Sequence, residues 1–158
     1  MNVAGSEINS NLIIIVNDNE QSIAEVHGGM YKNLAELRET GGTASNNLFK
    51  AFGLDYIYEE NGNDIASLIS LFRKVKDTDH PIVVHIHTQK GKGYEIAEKD
   101  KEGWHWCMPF DRETGKPTIS FGDGEDYTSI TAEYIMQKAK SDSEFLVITP
   151  AMPGSAGL

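Results

Sequence analysis

The stretch LIIIVNDNEQSIAE, residues Leu12–Glu25, decides the fold class. Its first five residues are the most apolar run in the chain, and their lack of polar alternation predicts a strand buried on both faces, as in a parallel sheet. The run leads directly into Asn17, Asp18 and Asn19. Ligands of open α/β sheets bind beyond the carboxyl ends of the strands, so the triplet stands where a binding loop belongs. An ordinary turn is the alternative, because Asx side chains often bond their own backbone.

The remainder of the chain alternates strand-like runs with helical periodicity, which predicts an α/β fold with a doubly wound, mostly parallel sheet. The clearest helix follows the turn at Asn61–Asp64, where apolar residues recur at helical spacing from Ile65 to Val75. Only 11 residues precede the first strand, and the chain stops soon after the last one. We therefore expect a sheet that is incomplete at both ends. The predicted strands cover 12–16, 54–58, 82–87 and 145–148, and the predicted helices cover 30–38, 45–52, 65–75 and 127–140.

Composition disfavours several classes of protein. The 158 residues carry a net charge of −10, so a general nucleic-acid binder, which needs a positive face, is disfavoured. The longest apolar run has five residues, whereas a membrane helix needs about 20. No secretory signal is visible either, so we expect no membrane partner and a cytoplasmic location. The single cysteine, Cys107, excludes an intrachain disulfide.

Four segments resemble the thiamine diphosphate-dependent 1-deoxy-D-xylulose-5-phosphate synthases and their transketolase-like relatives. The resemblance implies a thiamine diphosphate-binding fold, a magnesium ion, a homodimeric full-length protein, and a small-molecule substrate that is a sugar phosphate or a 2-oxo acid. It also implies a transferase that passes a two-carbon unit from a ketose or 2-oxo acid to an aldehyde. The segments are LIIIVNDNEQSI, NGNDIASL, PIVVHIHTQKGKGYEIAEKD and FLVITPAM.

The same resemblance divides the chain into three parts. Residues 1–103 correspond to the C-terminal part of the diphosphate-binding domain. Residues 104–125, which hold no clear period, correspond to a linker, and residues 126–158 to the start of the pyrimidine-binding domain.

Two metal ligands follow from the position of the triplet in that family. The side chain of Asn19 and the main-chain carbonyl of Gln21 correspond to magnesium ligands, and Mg²⁺ prefers such hard oxygen donors. The family's third ligand, an Asp in a GDG motif, would fall upstream of Met1. The sequence does contain Gly122-Asp123-Gly124, but this motif lies on the wrong side of the triplet and is interpreted as a turn.

Four further residues are implied as site residues. Ser22, Lys90 and Tyr94 correspond to cofactor-contacting positions, and the two lysines Lys90 and Lys92 could meet phosphate as point charges. A solvated lysine pair is the alternative for them. His105 corresponds to a histidine that faces the reacting centre, where an imidazole can exchange protons near neutral pH.

The chain also departs from the family. The segment from Ala24 to Tyr58 is much shorter than its counterpart, which indicates a shortened covering loop and leaves the substrate open. The catalytic glutamate of the family belongs to the following domain, so we expect this chain alone to be inactive. A non-catalytic cofactor-binding or interaction subunit of a split transketolase is one alternative. A zinc hydrolase that uses His85 and His87, which share one strand face, is another.

Overall fold

The computed structural model of the chain describes residues 1–119, 126–149 and 152–153. Its core is an open sheet of three parallel strands with helices on both faces. The elements in chain order are α1 (Asn2–Ser6), β1 (Ile13–Asp18), α2 (Gly29–Glu39), α3 (Leu48–Ala51), β2 (Asp55–Glu59), α4 (Ile65–Val75), β3 (Ile82–His87), α5 (Glu95–Lys99) and α6 (Tyr127–Ser141).

The strand order is β1-β3-β2, so the last strand of the sheet in sequence lies at its centre. Ile82 at the start of β3 is in register with Ile13 of β1 and with Asp55 of β2. All pairings are parallel, and the carboxyl ends of the three strands therefore meet at one edge. The predicted α/β fold class with an incomplete parallel sheet is confirmed.

Helices cover both faces because the two crossovers run in opposite directions across the sheet. Right-handed connections of opposite direction place their helices on opposite faces. On one face Leu37 of α2 and Phe49 of α3 pack with Val83. On the other face Leu71 and other residues of α4 pack with Val84. Alternating side chains of β3 thus enter two separate cores, which explains its continuous apolar character.

Strand β1 is less covered than its sequence predicts. We expected burial on both faces, but Ile15 is 55% exposed. The cause is the position of β1 at the edge of the described sheet, where the core beneath α4 includes Ile13 but does not extend to Ile15. Its other face, with Ile14 and Val16, does contact the core.

Local caps set the helix boundaries. The side chain of Asn47 accepts hydrogen bonds from the main-chain amides of Phe49 and Lys50, so α3 begins at Leu48 rather than at 45. The helix ends before Gly53, whose φ of 81° suits the left-handed conformation that follows a helix. Asp64 caps α4 in the same way, through the amide of Ser67 at 2.7 Å.

Two differences from the predicted elements concern the C-terminal half. The short helix α5 was not predicted. Residues 145–148 form no strand, since no described residue pairs with them, and Leu146 and Ile148 are largely exposed. Helix α6 forms as predicted with a capping box at Asp126, yet none of its residues is buried. The turn predicted at Gly122-Asp123-Gly124 lies outside the described residues. None of the helices in the described ranges is long and apolar enough to cross a membrane.

Candidate functional site

Polar loops gather at the carboxyl edge of the sheet. They enclose an open cleft of about 630 Å³ between the loops that follow β1, β2 and β3. A second hollow of about 280 Å³ lies between the loop after β1 and helix α2, and Glu20 lines both. The first cleft is lined by Glu20, residues 60–64, His87, Thr88, Gln89, Lys92 and Lys101.

Side-chain oxygens of the triplet shape the turn that ends β1. Asp18 Oδ1 accepts a hydrogen bond from the amide of Glu20 at 2.9 Å, and Asn19 Oδ1 accepts one from the amide of Gln21 at 3.2 Å. Between these two bonds Glu20 adopts a φ of 67°, which is uncommon outside glycine. The triplet therefore folds as two overlapping Asx turns.

Strand β3 holds the same turn from its other side. Thr88 donates its amide to the main-chain oxygen of Asp18 at 2.9 Å and its hydroxyl to Asn17 Oδ1 at 2.7 Å. His87 and Glu20 form a further pair across the cleft, with 2.7 Å between Nε2 and Oε1. The turn is thus fixed to its neighbouring strand by main-chain and side-chain contacts.

Asp18 itself is buried beneath this turn. Its Oδ2 accepts from the guanidinium of Arg38 in α2 and lies 2.9 Å from Nε2 of the fully buried His85. Burial alone would raise the pKa of Asp18, but the hydrogen bonds from His85, the Glu20 amide and Arg38 outweigh that effect. They hold the pKa of this carboxyl well below its usual range, so Asp18 is ionised.

The charge on Asp18 determines which neighbouring groups donate hydrogen bonds and which accept them. An ionised carboxylate only accepts hydrogen bonds, so Nε2 of His85 donates to it. The hydroxyl of Tyr56 lies 2.7 Å from Nδ1 of the same ring. Burial raises the pKa of Tyr56, which keeps the phenol protonated, so its hydroxyl is able to donate to Nδ1 of His85. Arg38, Asp18, His85 and Tyr56 therefore form a continuous hydrogen-bonded chain across α2 and all three strands, with Asp18 and His85 buried at its centre.

Four of the residues implied by the sequence lie together. Asn19 and Gln21 are partly buried in the turn, and Ser22 follows on the surface. Lys90, in the loop after β3, donates through Nζ to the main-chain oxygens of Ser22 at 2.9 Å and Ile23 at 3.4 Å. Partial burial lowers the pKa of Lys90. The buried Oε1 of Gln21 has no hydrogen-bond partner among the described residues.

Tyr94 and His105 lie elsewhere in the loops. Tyr94 donates its hydroxyl to the main-chain oxygen of Arg112 at 3.0 Å, and its ring contacts Trp104 and Phe110 at centroid distances of 5.0 and 5.7 Å. His105 is exposed. In the described part of the chain, neither residue forms a hydrogen bond with the turn at the end of β1.

The histidine pair considered for zinc is engaged otherwise. Both ring nitrogens of His85 have hydrogen-bond partners, so neither is free to bind a metal. Across the described ranges, no group of three or more His, Cys, Asp or Glu side chains is placed to hold a metal ion. The arrangement gives the zinc hydrolase alternative no support.

Sequence reasoning missed Asp18 and Tyr56 as partners of His85, and Arg38 as a partner of Asp18. The one available signal was a charged residue inside the triplet directly after a buried strand. Finding its partners required the strand register, which places His85 beside both Val16 and Tyr58.

A parallel sheet with polar loops at the carboxyl ends of its strands places the chain in the class of open α/β domains, whose ligands bind beyond those strand ends. The family model described as 1-deoxy-D-xylulose-5-phosphate synthase matches residues 1–46 and 40–88, which is more than half of the chain. The chain belongs to the 1-deoxy-D-xylulose-5-phosphate synthase family.

Curated relatives agree with this assignment. The 1-deoxy-D-xylulose-5-phosphate synthase of Yersinia pseudotuberculosis serotype O:1b (strain IP 31758) is 33% identical over 184 residues, which cover 96% of this chain and 30% of the relative. The enzyme of the same name from Yersinia pestis (strain Pestoides F) is 32% identical over the same shares. The chain thus spans about 30% of the length of the curated relatives that it matches.

Proposed function

We propose that this chain is part of a thiamine diphosphate-dependent transferase of the 1-deoxy-D-xylulose-5-phosphate synthase type. In the full-length protein the enzyme transfers a two-carbon unit from a ketose or 2-oxo acid to an aldehyde. This chain contributes the side of the site that binds magnesium and the diphosphate. The observation that carries the proposal is the turn at Asn17–Gln21, which presents oxygen donors at the carboxyl end of a parallel strand.

The donor set of the turn fits a magnesium ion. The Asn19 amide oxygen and the Gln21 main-chain carbonyl are hard oxygen donors of the kind that Mg²⁺ selects, and the ion completes its shell with phosphate oxygens and water. The buried Oε1 of Gln21, which has no hydrogen-bond partner among the described residues, adds a further oxygen acceptor at this position. Asn19 and Gln21 would therefore hold the ion, together with an acidic ligand from outside these residues.

Lys90 stabilises the loop that follows these donors. Its ammonium group is already bound to the carbonyls of Ser22 and Ile23. The same positive charge lies beside the proposed diphosphate site, where it would favour an anion. Ser22 is exposed in this loop, so its hydroxyl is available as a donor to phosphate.

The bound cofactor would supply the electron sink for cleaving and forming carbon–carbon bonds next to a carbonyl. The residues of this chain bind and orient it, and His105 is proposed to exchange a proton with the substrate. Tyr94 is proposed to reach the cofactor from the loop after β3. We expect the 158 residues alone to be inactive, and the full-length protein to be a homodimer.

The substrate is proposed only as a class, because the region between β1 and β2 differs from that of the relatives. The family model matches in two pieces that meet at residues 40–46, between α2 and α3. The alignment with the curated relative runs over 184 positions, whereas the chain has 158 residues. Both observations support a segment shortened in this chain, as expected for a covering loop with altered substrate contacts.

The test is calorimetric binding of thiamine diphosphate to the full-length protein, with and without Mg²⁺. We expect binding that requires the metal, and at least a tenfold weaker affinity in Asn19→Ala, which equals a loss of about 1.4 kcal/mol. Asn11→Ala, an exposed asparagine just before the same strand, is the matched control and should bind as the unchanged protein does. Metal-independent binding, or an unaffected Asn19→Ala, would contradict the proposal.

An activity screen separates this function from a non-catalytic subunit. The full-length protein is incubated with pyruvate or a phosphorylated ketose as donor and an aldehyde as acceptor. Turnover that depends on added thiamine diphosphate supports the transferase. Metal-dependent binding with no turnover for any pair would instead favour the cofactor-binding subunit of a split enzyme.

A further inference from the structure

We infer that Asp18 is a positioning residue, which sets the geometry of the metal-binding turn through its hydrogen bonds to Arg38, His85 and the Glu20 amide. The inference rests on the proposed function, because it assigns to Asp18 a role in magnesium binding through its neighbour Asn19. Asp18 itself lies below the turn and is not proposed as a ligand.

The two oxygens of the Asp18 carboxylate have different tasks. Oδ1 accepts from the Glu20 amide at 2.9 Å and closes the first Asx turn. Oδ2 accepts from Arg38 and from Nε2 of His85 at 2.9 Å. One buried side chain thus joins helix α2 and strand β3 to the turn that carries Asn19.

The turn needs such an anchor because its backbone is not in a relaxed conformation. Glu20 has a φ of 67°, which costs free energy for a residue with a side chain. The Oδ1 bond to its amide holds that conformation, and the next bond, from Gln21 to Asn19 Oδ1, follows directly. Releasing Asp18 from Arg38 and His85 should therefore move the donor oxygens of Asn19 and Gln21 together.

Partners that orient metal ligands are known to matter for affinity. Their loss typically weakens metal binding by about 10- to 100-fold without removing a ligand. Asp18→Asn is the sharpest change, since it keeps the shape. The amide nitrogen of asparagine would replace Oδ2. This nitrogen only donates hydrogen bonds, so it cannot accept from the two donors Arg38 and His85.

The experiment measures the Mg²⁺ concentration that half-saturates binding of thiamine diphosphate to the full-length protein, with no turnover required. Asp18→Asn should raise this concentration about tenfold or more. Leu71→Ala removes a buried side chain on the opposite face of the sheet and serves as the control for lost stability. It should lower the melting temperature but leave the half-saturating concentration within about twofold.

Arg38→Lys provides a second, milder variant that keeps the positive charge. A lysine cannot reproduce the geometry of the guanidinium, so we expect a smaller rise in the same direction. If Asp18→Asn had the same half-saturating Mg²⁺ concentration as the unchanged protein, the inference would be overturned but the proposed function would stand. If Asp18→Asn does not fold, the same result in Arg38→Lys would decide the question in the same way. The inference would also be overturned if Leu71→Ala raised the half-saturating Mg²⁺ concentration as much as Asp18→Asn does. An unchanged protein that binds the cofactor without Mg²⁺ would overturn the proposed function and this inference together.

Discussion

The ammonium group of Lys90 donates to the main-chain carbonyl of Ser22 at 2.9 Å and so joins the loop after β3 to the loop after β1. The contact links the loops that follow β1 and β3, the two strands beside the proposed site. It makes the short polar segment after the triplet dependent on a residue far away in sequence.

Replacing this lysine should loosen the loop. Lys90→Met removes the charged donor but keeps the length of the side chain, and we expect a loss of about 1 kcal/mol in the stability of the closed loop. The measurement is hydrogen exchange at the amide of Ser22, which bonds to the oxygen of Ala24. Exchange should accelerate several-fold. Lys92→Met, whose ammonium bonds only to the Gln89 side chain among the described residues, should leave that amide unchanged.

The buried carboxylate of Asp18 should make stability depend on pH. Its pKa in the folded protein lies below the ordinary value of 3.8, so ionisation stabilises the fold at pH values above 3.8. That contribution disappears as the pH falls through the lower folded-state pKa. At neutral pH, Asp18→Asn should lose about 3 kcal/mol, because Arg38 is left without its partner.

Urea unfolding across the pH range measures this dependence. The stability gap between Asp18→Asn and the unchanged protein should narrow steadily below about pH 4. Asp55→Asn, the same change at an exposed position of β2, should show little effect at any pH. A gap that stays constant down to about pH 3 would contradict the assignment of an ionised, hydrogen-bonded Asp18.

The phenol of Tyr56 should contribute through one hydrogen bond. Tyr56→Phe removes the 2.7 Å contact with Nδ1 of His85 but keeps the ring that stacks on Phe49 at 5.6 Å. We expect a loss of about 1 kcal/mol in the free energy of unfolding, measured by urea denaturation. Tyr58→Phe is the control. The ring of Tyr58 also lies against His85, with 5.2 Å between ring centroids, but its hydroxyl makes no hydrogen bond to His85. This control should lose less than Tyr56→Phe does, and the reverse order would contradict a stabilising hydrogen bond between Tyr56 and His85.

Gly62 packs too closely on β3 to accept a side chain. A Cβ placed there would lie 2.3 Å from Ile86 Cγ2 and 2.4 Å from the main-chain oxygen of His87. Gly62→Ala should therefore destabilise the fold by about 1–3 kcal/mol, which thermal unfolding measures. Gly29→Ala, where no atom lies within 4 Å, is the matched control and should leave the melting temperature equal or slightly higher.

Patterns of local spacing explain what the sequence predicted well. The apolar stripe from Ile65 to Val75 and the Asp64 cap together specify α4, and the apolar run from Ile82 specifies the strand β3. The prediction that β1 is buried on both faces was wrong at Ile15, because an edge strand and a central strand can share the same composition. The strand at 145–148 was also wrong for the described residues, since pairing requires a partner that local sequence cannot provide.

The candidate site was predictable only in part. The resemblance located Asn19, Gln21, Ser22 and Lys90, and the structure brings them together, although their roles stay predictions. The Asp18 network was not predictable, because its members are distant in sequence. Tyr56 and His85 become neighbours only through the register of two parallel strands.

The strand order has a consequence for how the protein is made. During synthesis β1 and β2 leave the ribosome before β3, yet β3 is the strand with which each of them pairs in the described part of the chain. Until residue 87 has emerged, the edges of β1 and β2 that pair with β3 expose unpaired main-chain groups. Pairing of distant segments is slow, so this interval is the stage at which the nascent chain is most exposed to aggregation. A ribosome-bound chain stalled before Ile82 should consequently engage chaperones, and one stalled well after His87 should release them.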